Sequence, residues 1–204
     1  AIYRDCFQML SFQAGYDIID ISNENAIVNI IQNLKNGDLD GVNITSPFKK
    51  TFISYLKTIN PRAEQIGAVN CIHNSNGILI GNNTDWYGFA KSLENFGDYS
   101  DVVIFGNGGV VSALLYYFRI KNQKIIHLVG RDLNKLKLFQ SKNISIHNID
   151  NFKLKIDQAL IINATPFNAE LDWASLINQL DGRISLAIDL NYYLKATKFL
   201  NSFN

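Results

Sequence analysis

The sequence predicts an α/β protein in two domains, each a parallel sheet covered by helices. Three observations predict it. Short apolar runs rich in Ile and Val alternate with stretches whose apolar residues recur at helical spacing. Hydrophobic residues make up 47% of the 204 positions, enough to bury a sizeable core. The alternation breaks once, at the polar, glycine-containing "ENFGDYSD", and then restarts, which places the domain boundary near residue 98 and the domains at 1–97 and 98–204.

Taken in order, "YDIIDI" (16–21) reads as a strand. Ser22 is placed to cap a helix whose Ile27, Ile30, Ile31 and Leu34 share one face before Gly37 stops it. "LDGVNI" is the next strand. Ser46 followed by Pro47 reads as an N-cap and first helical residue, with Phe48, Phe52, Tyr55, Leu56 and Ile59 as the apolar stripe of that helix. "AVNCIH" and "ILIGNN" flank the turn signal "NSNG" and predict a hairpin, and a helix follows with Trp86, Phe89, Leu93 and Phe96 on one side. In the second half "VVIFGNGG", "KIIHLVG", "ISIHNI", "ALIINAT" and "ISLAIDL" read as strands, with helical segments between most of them.

Composition narrows the function. The net charge is +1 with acids and bases interspersed, so no charge block suggests nucleic acid or an anionic membrane as partner; a small molecule is expected. Cys6 and Cys71 form no CxxC or Cys/His cluster, which argues against a disulfide framework and a structural zinc and fits a reducing cytoplasm. No apolar run approaches the roughly 20 residues that span a bilayer. The three histidines, His73, His127 and His147, fall on different segments and receive no role.

Two regions carry chemistry. "VVIFGNGGVVSALLYYF" is a strand, then Gly106, Asn107, Gly108 and Gly109, then an apolar helix, a pattern that lets backbone approach a pyrophosphate at a helix N-terminus. Val111 occupies the third glycine position of that pattern. Twenty positions past Val111, where an acid usually meets the ribose hydroxyls of NAD, stands Arg131, suited to a 2′-phosphate and assisted by Lys135; this predicts NADP. Asp132 is next in line and keeps the NAD reading open. In the first half, "GVNITSPFKK", "IGAVNCIH" and "GNNTDWYGF" stand near strand ends, whose loops in a parallel sheet converge on one crevice. Lys49 and Asp85 are the acid/base candidates there, with Asn43 and Asn70 beside them; an N-cap for Asp85 and loop hydrogen bonding for the asparagines are the alternative readings.

These blocks resemble the shikimate dehydrogenase family. The family's "GxNVTxPxK" matches Asn43, Ile44, Thr45, Pro47 and Lys49; "GAVNT" matches Gly67 to Asn70, with Cys71 for threonine; "NTDxxGF" matches Asn83, Thr84, Asp85, Gly88 and Phe89. Farther on, "GAGGAA" resembles Gly106 to Val111, "NRT" resembles Gly130 to Asp132, "INATP" matches Ile162 to Pro166, and "DLxY" then threonine matches Asp189, Leu190, Tyr192 and Thr197. The resemblance implies an α/β substrate domain followed by a Rossmann-type NADP-binding domain, and reversible reduction of 3-dehydroshikimate to shikimate in aromatic amino-acid biosynthesis, in the cytoplasm, by a monomer or homodimer. It further implies Lys49 and Asp85 as the catalytic pair; Thr45, Asn70, Asp85 and Tyr192 around the substrate; and Gly106, Gly108, Gly109, Arg131 and Thr165 around the cofactor, where the motif and charge reading adds Asn107 and Lys135; no metal is expected.

The chain departs from the family pattern in places. The family's Ser-x-Ser carboxylate clamp would precede "AIYRDCF", and a glycine-rich block with a glutamine would follow the "DLxY" region, so both ends are expected to be cut. Trp86 replaces a small residue, Asn168 and Ala169 replace Gly-Met, and Gly130 replaces asparagine. A quinate/shikimate dehydrogenase using NAD and a catalytically silent NADP-binding module are the alternative functions.

Overall fold

The structure, a computed structural model, describes residues 2–191 and 196–203. Its first half opens with α1 (Ile2–Met9), a segment without regular secondary structure, and α2 (Glu24–Asn36). Asn23, one residue after the expected Ser22, caps α2: its Oδ1 accepts the Ala26 amide at 3.1 Å. The predicted stripe of Ile27, Ile30, Ile31 and Leu34 is buried, and Gly37 ends the helix in the left-handed region at φ 82°.

Against α2 lies a small sheet of β1 (Gly41–Asn43), β2 (Thr58–Ile59), β3 (Cys71–Ser75) and β4 (Ile78–Asn82), in the order β1-β3-β4-β2. The predicted hairpin is β3–β4, turning through Asn76 and Gly77, both at positive φ. The all-parallel expectation fails here: β1 pairs antiparallel with β3, and only β2 with β4 is parallel.

Two further readings are corrected in this half. Residues 16–21 form no strand: β1 is an edge strand paired with β3, and among the described residues the segment meets it through a side chain, Asn43 Nδ2 donating to the Tyr16 hydroxyl at 3.3 Å. Ile18 is accordingly 88% exposed. The expected helix from Pro47 is instead a cis Ser46–Pro47 bond, a turn, and a short 3₁₀ helix (Thr51–Tyr55). The Lys49 carbonyl accepts the Val69 amide at 2.8 Å, and Ile53 N–H goes to the Lys50 carbonyl, so the α-type bond from Phe52 N–H to the Phe48 carbonyl is not continued into a helix. The apolar stripe survives the change: Phe52 is buried, with Phe48, Tyr55, Leu56 and Ile59 packed around it. The short α3 (Pro61–Ile66) follows, started by Pro61 and by Asn60, whose side chain accepts the Arg62 amide.

The second half is a five-stranded, wholly parallel sheet in the order β7-β6-β5-β8-β9. Its strands are β5 (Asp101–Phe105), β6 (Ile125–Gly130), β7 (Ile144–Asn148), β8 (Leu154–Asn163) and β9 (Leu180–Asp189), as the apolar runs predict. Crossover helices α5 (Gly109–Ile120), α6 (Leu133–Lys137) and α7 (Trp173–Ile177) join most of them, and α8 (Lys198–Asn201) follows β9. One face is packed by Val102, Ile104, Leu114, Phe118 and Leu128, the other by Val103, Phe105, Val129, Trp173 and Phe199. Between the halves runs α4 (Asp85–Ser92), which sends Phe89, with Leu93 just beyond its end, into the first of these cores. Phe96, expected on the same stripe, lies past the helix and is exposed. Among the described residues no helix is long and apolar enough to cross a membrane.

Candidate active site

Because β3 runs antiparallel to β1 and β4, the exits of β1 and β4 and the entry of β3 share one edge of the small sheet. Asn70 therefore reaches the same edge as Lys49 and Asp85, although it precedes its strand rather than following it. Backbone bonds bind these three loops: Ile44 N–H donates to the Asn70 carbonyl, Asn70 N–H to the Asn82 carbonyl, and Val69 N–H to the Lys49 carbonyl.

On this frame Lys49 Nζ stands 2.8 Å from Asp85 Oδ2, their side chains 14% and 22% exposed. Asn70 Nδ2 donates to Asp85 Oδ1 at 2.8 Å, while its Oδ1 accepts the Thr84 amide at the start of α4. Asn70 thus serves the carboxylate and the loop backbone together. Asp85 is the first residue of α4, and the residue before it, Thr84, makes no side-chain cap. The Asp85 amide donates to Asn83 Oδ1, and buried Asn83 is itself held by the Ala68 carbonyl through Nδ2. Sequence reasoning gave Asn83 only a place in a motif; its role as a brace for Asp85 follows from that pair of bonds. Thr45 lies exposed on the turn after β1, and Tyr192 falls outside the described residues.

The pair has Lys49 Nζ donating and Asp85 accepting, which leaves two ammonium hydrogens and several carboxylate lone pairs for a polyhydroxylated ligand. The arrangement can move a proton to or from a hydroxyl placed between them.

The Lys49 side chain also reaches the other half. A Cβ added at Gly109, the first residue of α5, would lie 3.7 Å from Lys49 Cδ. Here the predicted glycines divide by role. Gly106 has φ 129°, and a Cβ there would meet the Ala164 carbonyl oxygen at 2.6 Å, so the turn itself requires glycine. At Gly108 a Cβ would enter open space, and no side chain caps α5, so its first amides are free to meet an anion. That open cradle fits a pyrophosphate. Asn107, between the glycines, is half-buried. Thr165 abuts Gly106 and is fixed by Asn163 Oδ1, which accepts both its amide and its hydroxyl. Asn163 in turn donates to Asp189, and Asn191 donates to the Thr165 carbonyl, so Asn163, which stands in a matched family block, shapes this loop.

At the exit of β6 the structure separates Arg131 from Asp132. Asp132 caps α6, accepting the Lys135 amide at 3.1 Å, with Lys135 Nζ at 3.5 Å. This hydrogen bond holds its carboxyl below the usual value. Arg131 is exposed and makes no ion pair among the described residues. The Lys135 side chain is exposed at this rim.

Comparison with known proteins shows what the chain as a whole is similar to. A family profile described as the shikimate dehydrogenase substrate binding domain matches residues 1–72. A shikimate dehydrogenase (NADP(+)) of Clostridium botulinum is 33% identical over 205 residues, covering 98% of this chain and 79% of that protein. One of Clostridium beijerinckii is 29% identical, covering 98% of this chain and 75% of that protein. Among solved structures, shikimate dehydrogenase 1 of Peptoclostridium difficile superposes with a TM-score of 0.84 at 30% identity, over 98% of this chain and 75% of that one. The Thermus thermophilus enzyme, solved in complex with NADP(H) and shikimate, gives a TM-score of 0.79 at 25% identity, over 98% of this chain and 76% of that one. With the family's blocks in order and its fold reproduced, the chain belongs to the shikimate dehydrogenase family.

Proposed function

We propose that this protein is an NADP-dependent shikimate dehydrogenase, with residues 1–97 serving the substrate and 98–204 the dinucleotide. The observation that carries the reading is the 2.8 Å Lys49–Asp85 pair with the Lys49 stem against Gly109, which sets a proton-transfer site beside a pyrophosphate cradle. Gly106, Asn107, Gly108 and Gly109 would hold the pyrophosphate, with Thr165 alongside. Arg131, with Lys135 at the rim, would meet the 2′-phosphate. The cofactor, when bound, supplies or accepts a hydride. Lys49 gives the proton that the substrate oxygen needs as a ketone becomes an alcohol, and takes it back in the reverse direction. Asp85 and Asn70 hold the neighbouring hydroxyls and fix the ammonium in place, and Thr45 and Tyr192 complete the substrate side. Employment of Asp132 as a helix cap supports NADP over NAD, because its carboxylate is already committed.

The test is reduction of NADP⁺, with NAD⁺ alongside, by the full-length protein given shikimate and separately quinate. Turnover with shikimate and NADP⁺ is expected. Binding of NADP⁺ without turnover of either substrate would leave a silent cofactor-binding protein, and faster quinate oxidation with NAD⁺ would reassign the enzyme.

A further inference from the structure

Trp86 stands directly after Asp85 where the family pattern has a small residue, and the structure gives that indole a defined setting. The Arg62 guanidinium of α3 lies over its ring at 5.0 Å. Its edge meets Tyr116 of α5, with centroids 5.4 Å apart and planes at 74°. Tyr116 carries the Arg119 guanidinium at 5.2 Å, and Arg119 Nη2 donates to Gln65 of α3 at 3.0 Å. The contacts close a ring that leaves α3, crosses α4 and α5, and returns to α3. At its base Trp86 packs on the buried cluster of Ile66, Ala68, Ala113 and Tyr116, which joins residues from both halves.

The ring has a mechanical consequence. α4 starts at Asp85 and α5 starts at Gly109, so a side chain pinned between these helices sets the carboxylate relative to the cofactor cradle. Among the described residues the Asp85 carboxylate is hydrogen-bonded from the first half, by Lys49 and Asn70, with its amide braced by Asn83, while one turn on Phe89 packs against Tyr117 and Phe118 of α5. We propose that Trp86 is a positioning residue for the proposed reaction, locking the Lys49–Asp85 pair in register with the dinucleotide site through the Arg62–Trp86–Tyr116–Arg119–Gln65 ring. The proposal rests on the functional reading above. Aromatic and cation–π contacts suit the task because they are directional, and a displacement of about 1 Å at a reacting group can cost a hundredfold in rate.

The experiment compares Trp86→Ala and Trp86→Phe in the full-length protein, with shikimate kinetics and NADP⁺ affinity by calorimetry. Trp86→Ala is expected to lower kcat about tenfold or more while the NADP⁺ dissociation constant stays within about threefold, and Trp86→Phe to recover most of the loss. In an Asp85→Ala background the same change should cost nothing further in kcat, since Trp86 acts through Asp85. Equal losses in both backgrounds, or a kcat unchanged in Trp86→Ala, would overturn the proposal. A crystal structure of Trp86→Ala supplies a readout independent of substrate: the Lys49–Asp85 pair should shift relative to Gly109, and a pair that stays in place sinks the idea. Absence of turnover in the unmodified protein would instead count against the functional reading.

Discussion

Asp85 is approached from three directions, by the Lys49 ammonium, the Asn70 amide and the Asn83-braced backbone, and this convergence separates it from an ordinary helix-start aspartate. Asp85→Asn keeps the shape and loses the charge, so kcat should fall by roughly 10² to 10⁴, the range expected for a lost acid–base group. Lys49→Met should do the same, and calorimetry should find NADP⁺ binding retained in both. Near-normal turnover in either variant removes that residue from the chemistry. At Arg131 the expectation is selective: Arg131→Leu should raise the KM for NADP⁺ about tenfold and leave that for NAD⁺ unchanged. Asp132→Asn is the control, since asparagine also caps helices and the preference between the two cofactors should not move. The pairing of Lys49 with Asp85, the proposed acid–base residues, was legible in the sequence by residue type and by their place in loops at strand ends. Asn83 and Asp189 were not, because their work is to hold other groups, and a bracing bond leaves no pattern along the chain.

Elements were legible where one segment contains all its own reasons. α2 carries a cap, a buried stripe and a left-handed glycine stop, and it forms within a residue of expectation. Residues 16–21 are rich in isoleucine like a strand, but such a composition says only that a segment can pair; the partner is a property of the rest of the sheet. The Ser46–Pro47 corner failed for a related reason, since the Lys49 carbonyl is claimed by Val69, twenty positions away. The long strands β8 and β9 show how strongly an element can depend on one residue. Their register shifts between Ile156 and Ala159, and Gly182, at φ 138°, sits opposite Ile156. A Cβ at Gly182 would come within 1.9 Å of the Ile156 carbonyl oxygen. Gly182→Ala should therefore destabilise the fold by about 2 kcal/mol or more, lowering Tm by roughly 4 to 8 °C. An unshifted melting curve would mean that the strand pair absorbs a side chain there.

At the scale of the whole molecule, stability should depend on pH through a pair of histidines that the proposed mechanism does not use. His127 on β6 and His147 on β7 come from distant segments, and the parallel sheet brings His127 Nδ1 to 3.1 Å from His147 Nε2. Asp101, at the start of β5, lies 3.8 Å from His127 Nε2, which is buried with no hydrogen-bond partner among the described residues, while the other Asp101 oxygen accepts the Asp157 amide. Burial pushes the His127 imidazole below its ordinary value, with the Asp101 carboxylate opposing the shift. Burial, and then the neighbouring His127, does the same to His147. Both rings are therefore harder to protonate in the fold than in the unfolded chain, where they titrate at about 6.5. Above that value neither state binds the extra protons and the stability is fully present. As the pH falls through it, the unfolded chain takes up protons first, and stability is lost until the folded-state values are passed. Tm should accordingly fall between about pH 7 and pH 5. The double variant His127→Gln/His147→Gln should flatten that limb. Asp101→Asn should steepen it, because the carboxylate that favours the charged ring is gone. A limb of equal depth in the double variant would assign the acid sensitivity to carboxylates elsewhere in the molecule.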